Sequence, residues 1–389
     1  MGPLKGVRVL ELAGIGAAPF GCMLLADLGA EVVRVERAGP ADRRVAADDS
    51  GRAESDARRY VPHRGRRSVA LNLKASGGRE ALLRLVERAD VLVEAYRPGV
   101  AERLGLGPED CLARNPRLVY ARMTGWGQTG PLAPTAGHDI NYIAVAGALD
   151  NFRRSGERPL PPVNLVGDMG GGGMLLAFGV AAALLHVART GEGQVVDAAM
   201  VDGAALQLAT LIGMRAQGRW SNPPGENPFD TGAPSYEVYA CRDGRFLAVG
   251  AIEEPFWEEF QRLLDLPEGA LPSRRDPADW PRGKKVLAEV FRTRNRDEWA
   301  AVFAGSDACV SPVLSIDEAP AAPHNVARDA FVEIGGVVQP APAPRFSRTP
   351  AGTPAAPPLV GADTDAVLSD WGFSSEDLTG LRAADVIRG

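Results

Sequence analysis

Val7-Arg8-Val9-Leu10-Glu11-Leu12 is a short apolar strand, and Gly14, Gly16 and Pro19 follow it. A helical run from Phe20 to Leu28 stops at Gly29, and Glu31-Val32-Val33-Arg34-Val35-Glu36 is strand-like again. Strand, helix and strand in this order make a βαβ unit, which implies a parallel sheet and an α/β fold. A dinucleotide site does not follow. Pro19 stands where the third glycine of the phosphate-binding fingerprint belongs, and Arg37 comes directly after the acidic Glu36.

Moving outward, Ser68–Leu73, Val91–Glu94, Leu118–Met123 and Gly193–Met200 read as further strands. Gly78–Arg88 reads as an amphipathic helix, Met174–Val187 as a buried helix and Val201–Gln217 as a long one. The polar stretch Ala38–Tyr60 reads as a surface loop or a marginal helix. Composition then shifts. Residues 219–234 are rich in Pro, Gly and Asn and read as a linker. Tyr236–Cys241 and Phe246–Gly250 flank Asp243-Gly244, a hairpin signal. Helices are expected at Phe256–Leu264, Arg282–Arg292 and Arg296–Ala304. The reading is a Rossmann-like large domain over 1–218 and a smaller α+β domain over 235–325. A return of 326–389 to the large domain carries a Pro-rich strap (339–358) and a helix near Asp363–Trp371.

A length of 389 residues suits about two domains. With 45% hydrophobic and 24% charged residues the chain reads as globular rather than disordered, and a net charge of -6 argues against general nucleic-acid binding. No signal peptide is visible, and the apolar run 174–187 is shorter than the ~20 residues a bilayer span needs. Cys22, Cys111, Cys241 and Cys309 show no CxxC spacing, so neither a metal site nor a disulfide framework is expected. A cytoplasmic location and no membrane partner follow as expectations.

The chemistry concentrates between Ala121 and Gly173. His138 lies in Gly137-His138-Asp139-Ile140-Asn141-Tyr142, and Asp168 in Val166-Gly167-Asp168 before the glycines Gly170–Gly173. Glu253 lies further on in Gly250-Ala251-Ile252-Glu253. Removing a weakly acidic proton beside a thioester carbonyl needs a positioned base and donors for the enolate oxygen. Two such groups flanking one carbon interconvert stereoisomers, with neither metal nor redox cofactor. His138, oriented by the Glu253 carboxylate, suits one face and Asp168 the other. The backbone N–H of Asp139, or the glycine loop, suits the enolate oxygen. On residue type alone each could instead be structural: a core histidine, a turn aspartate, a helix-start glutamate. Arg37, Arg64–Arg67, Lys74, Arg97 and Arg103 form either a phosphate-binding set or a solvated basic surface.

These same motifs carry a resemblance that runs nearly end to end. Leu25–Glu36 and Tyr96-Arg97-Pro98-Gly99 resemble the family III CoA-transferase superfamily. The segments around His138, Asp168 and Glu253 resemble its α-methylacyl-CoA racemase branch. The resemblance implies the family III fold and an interlocked dimer in which Glu253 comes from the second chain. It implies 1,1-proton transfer on (2R)- and (2S)-2-methylacyl-CoA, with His138 and Glu253 as one acid/base and Asp168 as the other. It further implies CoA contacts from Arg37, Leu71, Leu73, Lys74, Ala95, Tyr96, Arg97 and Arg103, with CoA as part of the substrate and no other cofactor. The alternative is a CoA transferase in which Asp168 attacks the thioester and forms an acyl-enzyme anhydride. A transferase needs neither His138 nor Glu253, and this chain lacks a second glycine-rich loop at Gly250–Phe256. Ala41–Val61 departs from the family by its length. Met174, Met200 and Met214 do not define an acyl surface, which leaves the acyl group open.

Overall fold

The computed structural model describes residues 2–37, 56–220, 223–267 and 269–387. Most of the long polar segment 41–61 lies outside them. The chain divides into two compact units, one of residues 1–146, 163–207 and 324–389 and one of 147–162 and 208–323.

The first unit is built on a six-stranded sheet. Its strands are β1 (Arg8–Leu12), β2 (Glu31–Arg37), β3 (Arg66–Leu71), β4 (Val91–Glu94), β5 (Val119–Thr124) and β6 (Gln194–Ala199). Their order is β3-β2-β1-β4-β5-β6 and every pairing is parallel. Buried apolar clusters lie on both faces of the sheet, and its strands feed side chains to each. Successive residues of β1 still part by the two-residue period: Val9 packs into one core cluster, Leu10 and Leu12 into the other. The helices are α1 (Ala17–Asp27), α2 (Gly78–Val86), α3 (Asp139–Val145), α4 (Leu175–Thr190) and α5 (Met200–Leu206). Strand order reverses between β1 and β4, which opens a crevice at their carboxyl ends.

A buried charge cluster clamps the first three strands. Glu11 of β1 faces Arg34 of β2 in register. It accepts hydrogen bonds from Arg34 and, at 2.6 Å, from Arg66 of β3. Arg34 also donates to the Gly14 carbonyl at 3.2 Å, so the clamp reaches the loop at the crevice mouth. Burial pushes the Glu11 carboxyl upward, but the two guanidiniums outweigh it and leave its pKa lowered. Arg64 is buried as well. It donates to Asp27 at 3.0 and 2.5 Å, to Gln339 at 3.0 Å and to the Pro340 carbonyl at 2.6 Å. Arg67 pairs with Glu31 and Asp370. Arg64 and Arg66 are therefore neither a phosphate site nor a solvated surface but members of buried ion pairs, and Arg67 is part-exposed and paired with carboxylates, which spacing alone does not reveal.

The helix read as Met174–Val187 begins earlier. A π-helical segment, Leu165–Met174, runs straight into α4. Together they make the one described helix, of 26 residues, that is long and apolar enough to cross a membrane. Its glycines serve close packing. A Cβ on Gly171 would lie 2.7 Å from the Ala204 nitrogen, and one on Gly173 would lie 2.7 Å from the Ala17 carbonyl oxygen. The glycine run thus lets the π segment rest against α5 and α1. Beyond it the helix is not buried all round, since Met174, Phe178 and Leu185 are exposed.

The long helix read over Val201–Gln217 is two, α5 and α6 (Ala209–Ala216), and α6 belongs to the second unit. That unit also holds β7 (Tyr236–Ala240), β8 (Phe246–Gly250), α7 (Glu254–Leu264), α8 (Trp280–Phe291), α9 (Arg296–Phe303) and β9 (Val310–Pro312). The hairpin β7–β8 forms as expected, and β9 adds a third antiparallel strand. In its core Phe303 stacks on Phe260 and Trp299, and Phe291 meets Trp299 edge-on. Segment 147–162 joins this unit because Arg154 pairs with Glu237 at 2.7 Å. Residues 223–234, inside the stretch read as a linker, are folded: Asp230 accepts from the backbone of Gly225 and Asn227, both at 2.7 Å.

The chain then returns to the first unit through the hairpin β10 (Phe331–Ile334) and β11 (Val337–Pro340), α10 (Thr364–Asp370) and α11 (Ser375–Ala383). Asp363 and Thr364 accept from the backbone of Ser68 and Ala70, which anchors the return on β3.

Glu11→Ala leaves the buried Arg66 guanidinium without its carboxylate partner and Arg34 with Glu36 alone. It lowers unfolding free energy by about 3–5 kcal/mol in urea titrations near neutral pH. A lowered folded-state pKa means that the Glu11 contribution is full above the ordinary glutamate value of 4.5 and is lost as pH falls through the folded-state value. The stability gap between wild type and Glu11→Gln therefore narrows below that pH.

Candidate active site

The crevice between β1 and β4 is a cleft of 590 Å³. Three strand-end loops wall it: Gly14–Ala17 after β1, Ala95–Pro98 after β4 and Met123–Trp126 at the end of β5. His138 and Asp168 both line it. A smaller hollow of 290 Å³ in the second unit, with Phe229, Arg274 and Trp280 in its wall, has no histidine or carboxylate in its lining.

His138 is the N-cap residue of α3, in extended backbone conformation. Asn141, three residues on, accepts from the His138 N–H at 3.0 Å and fixes the helix start. Gly137 carries no side chain because Tyr142 and Trp126 fill that space; a Cβ there would lie 2.7 Å from the Tyr142 ring. Tyr142 donates to the Gly137 carbonyl, and its ring meets Trp126 edge-on at 4.8 Å. The backbone at the histidine is thus held between a capped helix and an aromatic pair, and its side chain is exposed.

Asp168 sits in the first turn of the π segment. Its N–H donates to Asp139 Oδ1 at 2.7 Å. Its Oδ2 accepts from Asn164 Nδ2 at 3.3 Å. Gly16, with φ of 68°, backs onto the same carboxylate; a Cβ there would lie 3.3 Å from Oδ2. Burial pushes the Asp168 carboxyl upward. The Asn164 hydrogen bond and the His138 charge pull it down and Asp139 pushes it up, leaving it raised. A carboxyl above its usual range is a better base toward a weakly acidic carbon.

Glu253, the third candidate, belongs to the second unit. It is exposed at the N-cap position of α7.

The loop after β4 is held from below. Buried Glu94 accepts from the Tyr96 N–H at 2.6 Å and from Arg122 at 2.8 Å, and Arg122 also pairs with Glu102. Ala95, Tyr96 and Arg97 reach the cleft. Arg37 ends β2 and Lys74 follows β3, so the parallel sheet sets them on the same carboxyl edge as Arg97. Arg103 lies against Gly99. These four side chains are exposed and make no ion pair among the described residues, whereas Arg64 and Arg66 are buried in pairs. Leu71 is buried in the core and Leu73 packs at its edge, so the strand end offers backbone rather than side chains there.

Asn164, the Asp139 carboxylate and Gly16 complete the site and were not singled out by sequence reasoning. Asn164 carried a signal, since it stands four residues before Asp168, one helical turn away. The other two become neighbours only through the fold.

The model of CoA-transferase family III matches residues 4–364. The mouse α-methylacyl-CoA racemase is 46% identical over 99% of this chain and 97% of that protein. The human α-methylacyl-CoA racemase is 43% identical over the same shares. Among solved structures, a CaiB/BaiF family protein from Brucella suis gives a TM-score of 0.80 at 27% identity, covering 95% of this chain and 99% of that one.

Asn164→Ala removes a hydrogen bond that favours the ionised Asp168. The Asp168 titration midpoint therefore moves to higher pH, as followed by 13C NMR of carboxyl-labelled aspartate and assigned by its loss in Asp168→Asn. A midpoint that stays in place refutes this account of the carboxylate.

Proposed function

We propose, for a chain that belongs to CoA-transferase family III, that His138 and Asp168 interconvert (2R)- and (2S)-2-methylacyl-CoA thioesters by 1,1-proton transfer at the α-carbon. The enzyme is then an isomerase, as the mouse and human relatives are by name. The observation that carries the residue assignment is that one cleft in the first unit holds both an imidazole and a carboxyl with raised pKa.

In this reading one group removes the α-proton and the thioester becomes an enolate. The other group returns a proton to the opposite face. No net proton is gained or lost, and the direction reverses with the substrate isomer. Each positioned acid or base contributes typically 10²- to 10⁴-fold. The enolate oxygen is assigned to the Asp139 N–H. Asp139 is the first residue of α3, where a backbone N–H has no intrahelical acceptor. One such donor supplies about 2.7–4 kcal/mol. The glycine run is the poorer candidate, because Gly171, Gly172 and Gly173 are buried against neighbouring helices.

The CoA moiety is assigned to Arg37, Lys74, Arg97 and Arg103, with Tyr96 and the backbone at Ala95, Leu71 and Leu73. What supports it is that, among the described residues, their side chains make no ion pair and lie along one sheet edge. Glu253 is assigned to orient His138 from a second copy of the chain in an interlocked homodimer. What supports this is the exposed apolar stripe Met174, Phe178 and Leu185 along the end of the π segment and α4, a face suited to being covered by a second copy. A cytoplasmic location completes the reading; the described cysteines are all unpaired thiols. The transferase alternative keeps Asp168 as a nucleophile and leaves His138 idle, so the histidine in the same cleft disfavours it.

Two measurements test this. Incubation with each 2-methylacyl-CoA isomer in D₂O gives deuterium at C2 with loss of configuration. His138→Ala or Asp168→Ala reduces the rate at least ~10²-fold while the protein stays folded. CoA transfer to an added carboxylic acid, without exchange, establishes the transferase instead. In sedimentation the wild type runs as a dimer with no native monomer; a folded monomer refutes the interlocked assembly.

A further inference from the structure

Asp139 is 7% exposed, and only one of its carboxylate oxygens is satisfied. Oδ1 accepts the Asp168 N–H at 2.7 Å. Oδ2 is buried and finds no donor among the described residues. Gly167 is pressed against the same group, since a Cβ there would lie 2.5 Å from Oδ1 and 3.2 Å from Ile143. The contact is therefore close on both sides and leaves little room for the π segment to shift.

A half-satisfied buried carboxylate is costly. Stability does not call for it. An asparagine has the same shape, offers the same acceptor to the Asp168 N–H and brings no charge. A local cost without a local gain belongs to functional sites, and the neighbour that feels this charge is Asp168. We propose that the Asp139 side chain is a positioning residue for proton transfer: it fixes Asp168 through that residue's N–H and holds a second negative charge beside it. This rests on the assignment of Asp168 as an acid/base.

The charge makes Asp168 the stronger base. Two like charges at close range favour the protonated form of one of them, and Asp139 pushes the Asp168 carboxyl upward while His138 pulls it down. From α3, Tyr142 also faces this pair, and Arg97 of the β4 loop acts on Tyr142. Asp202 of α5 is exposed. Arg122 of β5 is engaged with Glu94 and Glu102, and Asp197 of β6 accepts from the Gln128 N–H. The β1–α1 loop brings no charge. Asp139 is thus the carboxylate that bears directly on Asp168, through space and through its backbone.

Asp139→Asn and Asp139→Ala separate charge from position, and both keep the backbone N–H assigned to the enolate. In Asp139→Asn the Asp168 titration, read by 13C NMR, moves to lower pH. The acid limb of kcat/KM moves with it, and KM stays within about twofold. Asp139→Ala lowers kcat about 10²-fold, and Asp139→Asn recovers most of that loss. An Asp168 midpoint unchanged in Asp139→Asn overturns the proposal, and so does wild-type kcat in Asp139→Ala. If Asp139→Ala does not fold, the asparagine variant decides alone. The NMR titration needs no turnover, so it rules on Asp139 even if the wild type shows no α-proton exchange, a result that overturns the racemase reading instead.

Discussion

One buried carboxylate, Glu11, holds the sheet and the mouth of the site together. It stands on β1 opposite Arg34 of β2 and takes a second guanidinium from Arg66 of β3. Three charges in an apolar sheet are tolerable only while all are paired. The registers of three strands are thereby tied to one another, since a slip of one residue would carry a charge to the opposite face. Because Arg34 also holds the Gly14 carbonyl, the loop that bears Gly16 is held where it backs onto Asp168. Strand order then does the rest: parallel strands place every loop that matters on one edge.

The second constraint is close approach. Gly167, Gly171, Gly172 and Gly173 of the π segment each stand where a Cβ would strike a neighbour, and at Gly16 one would crowd Asp168 Oδ2 at 3.3 Å. Their absence of side chain lets a helix run past α1 and α5 at backbone distance and sets Asp168 against α3. A π segment at this place is in keeping with the frequent occurrence of such segments at functional sites. Here it sets the carboxyl of Asp168 and the amide of the same residue toward different partners, Asn164 and Asp139.

The parallel α/β unit, the hairpin β7–β8 and the helices of the second unit were legible in the sequence. Strand and helix periodicities are local, and Gly and Pro punctuate them clearly. The pairing of His138 with Asp168 was legible through the motifs around them, and the strand-end position of Arg97 through the parallel-sheet rule. The Arg64–Arg67 cluster was misleading. Three arginines in four residues look like a surface, and only the fold supplies Asp27, Glu11 and Glu31 to pair with them. The glycine run misled in the same way. A ligand loop and a helix-packing seam have the same composition, and the difference lies in what the backbone meets. The strands β9, β10 and β11, of three or four residues each, were not read from the sequence.

By itself, then, the sequence determined the class of fold, the order of its main elements and which side chains are able to move a proton, because each of these is written in neighbouring residues. Which arginines are consumed in buried ion pairs, which glycines pack helices, and that a buried carboxylate on α3 presses on Asp168 were decided by tertiary structure alone. Burial, charge pairing and clearance are relations between residues far apart in the chain, and no local pattern encodes them.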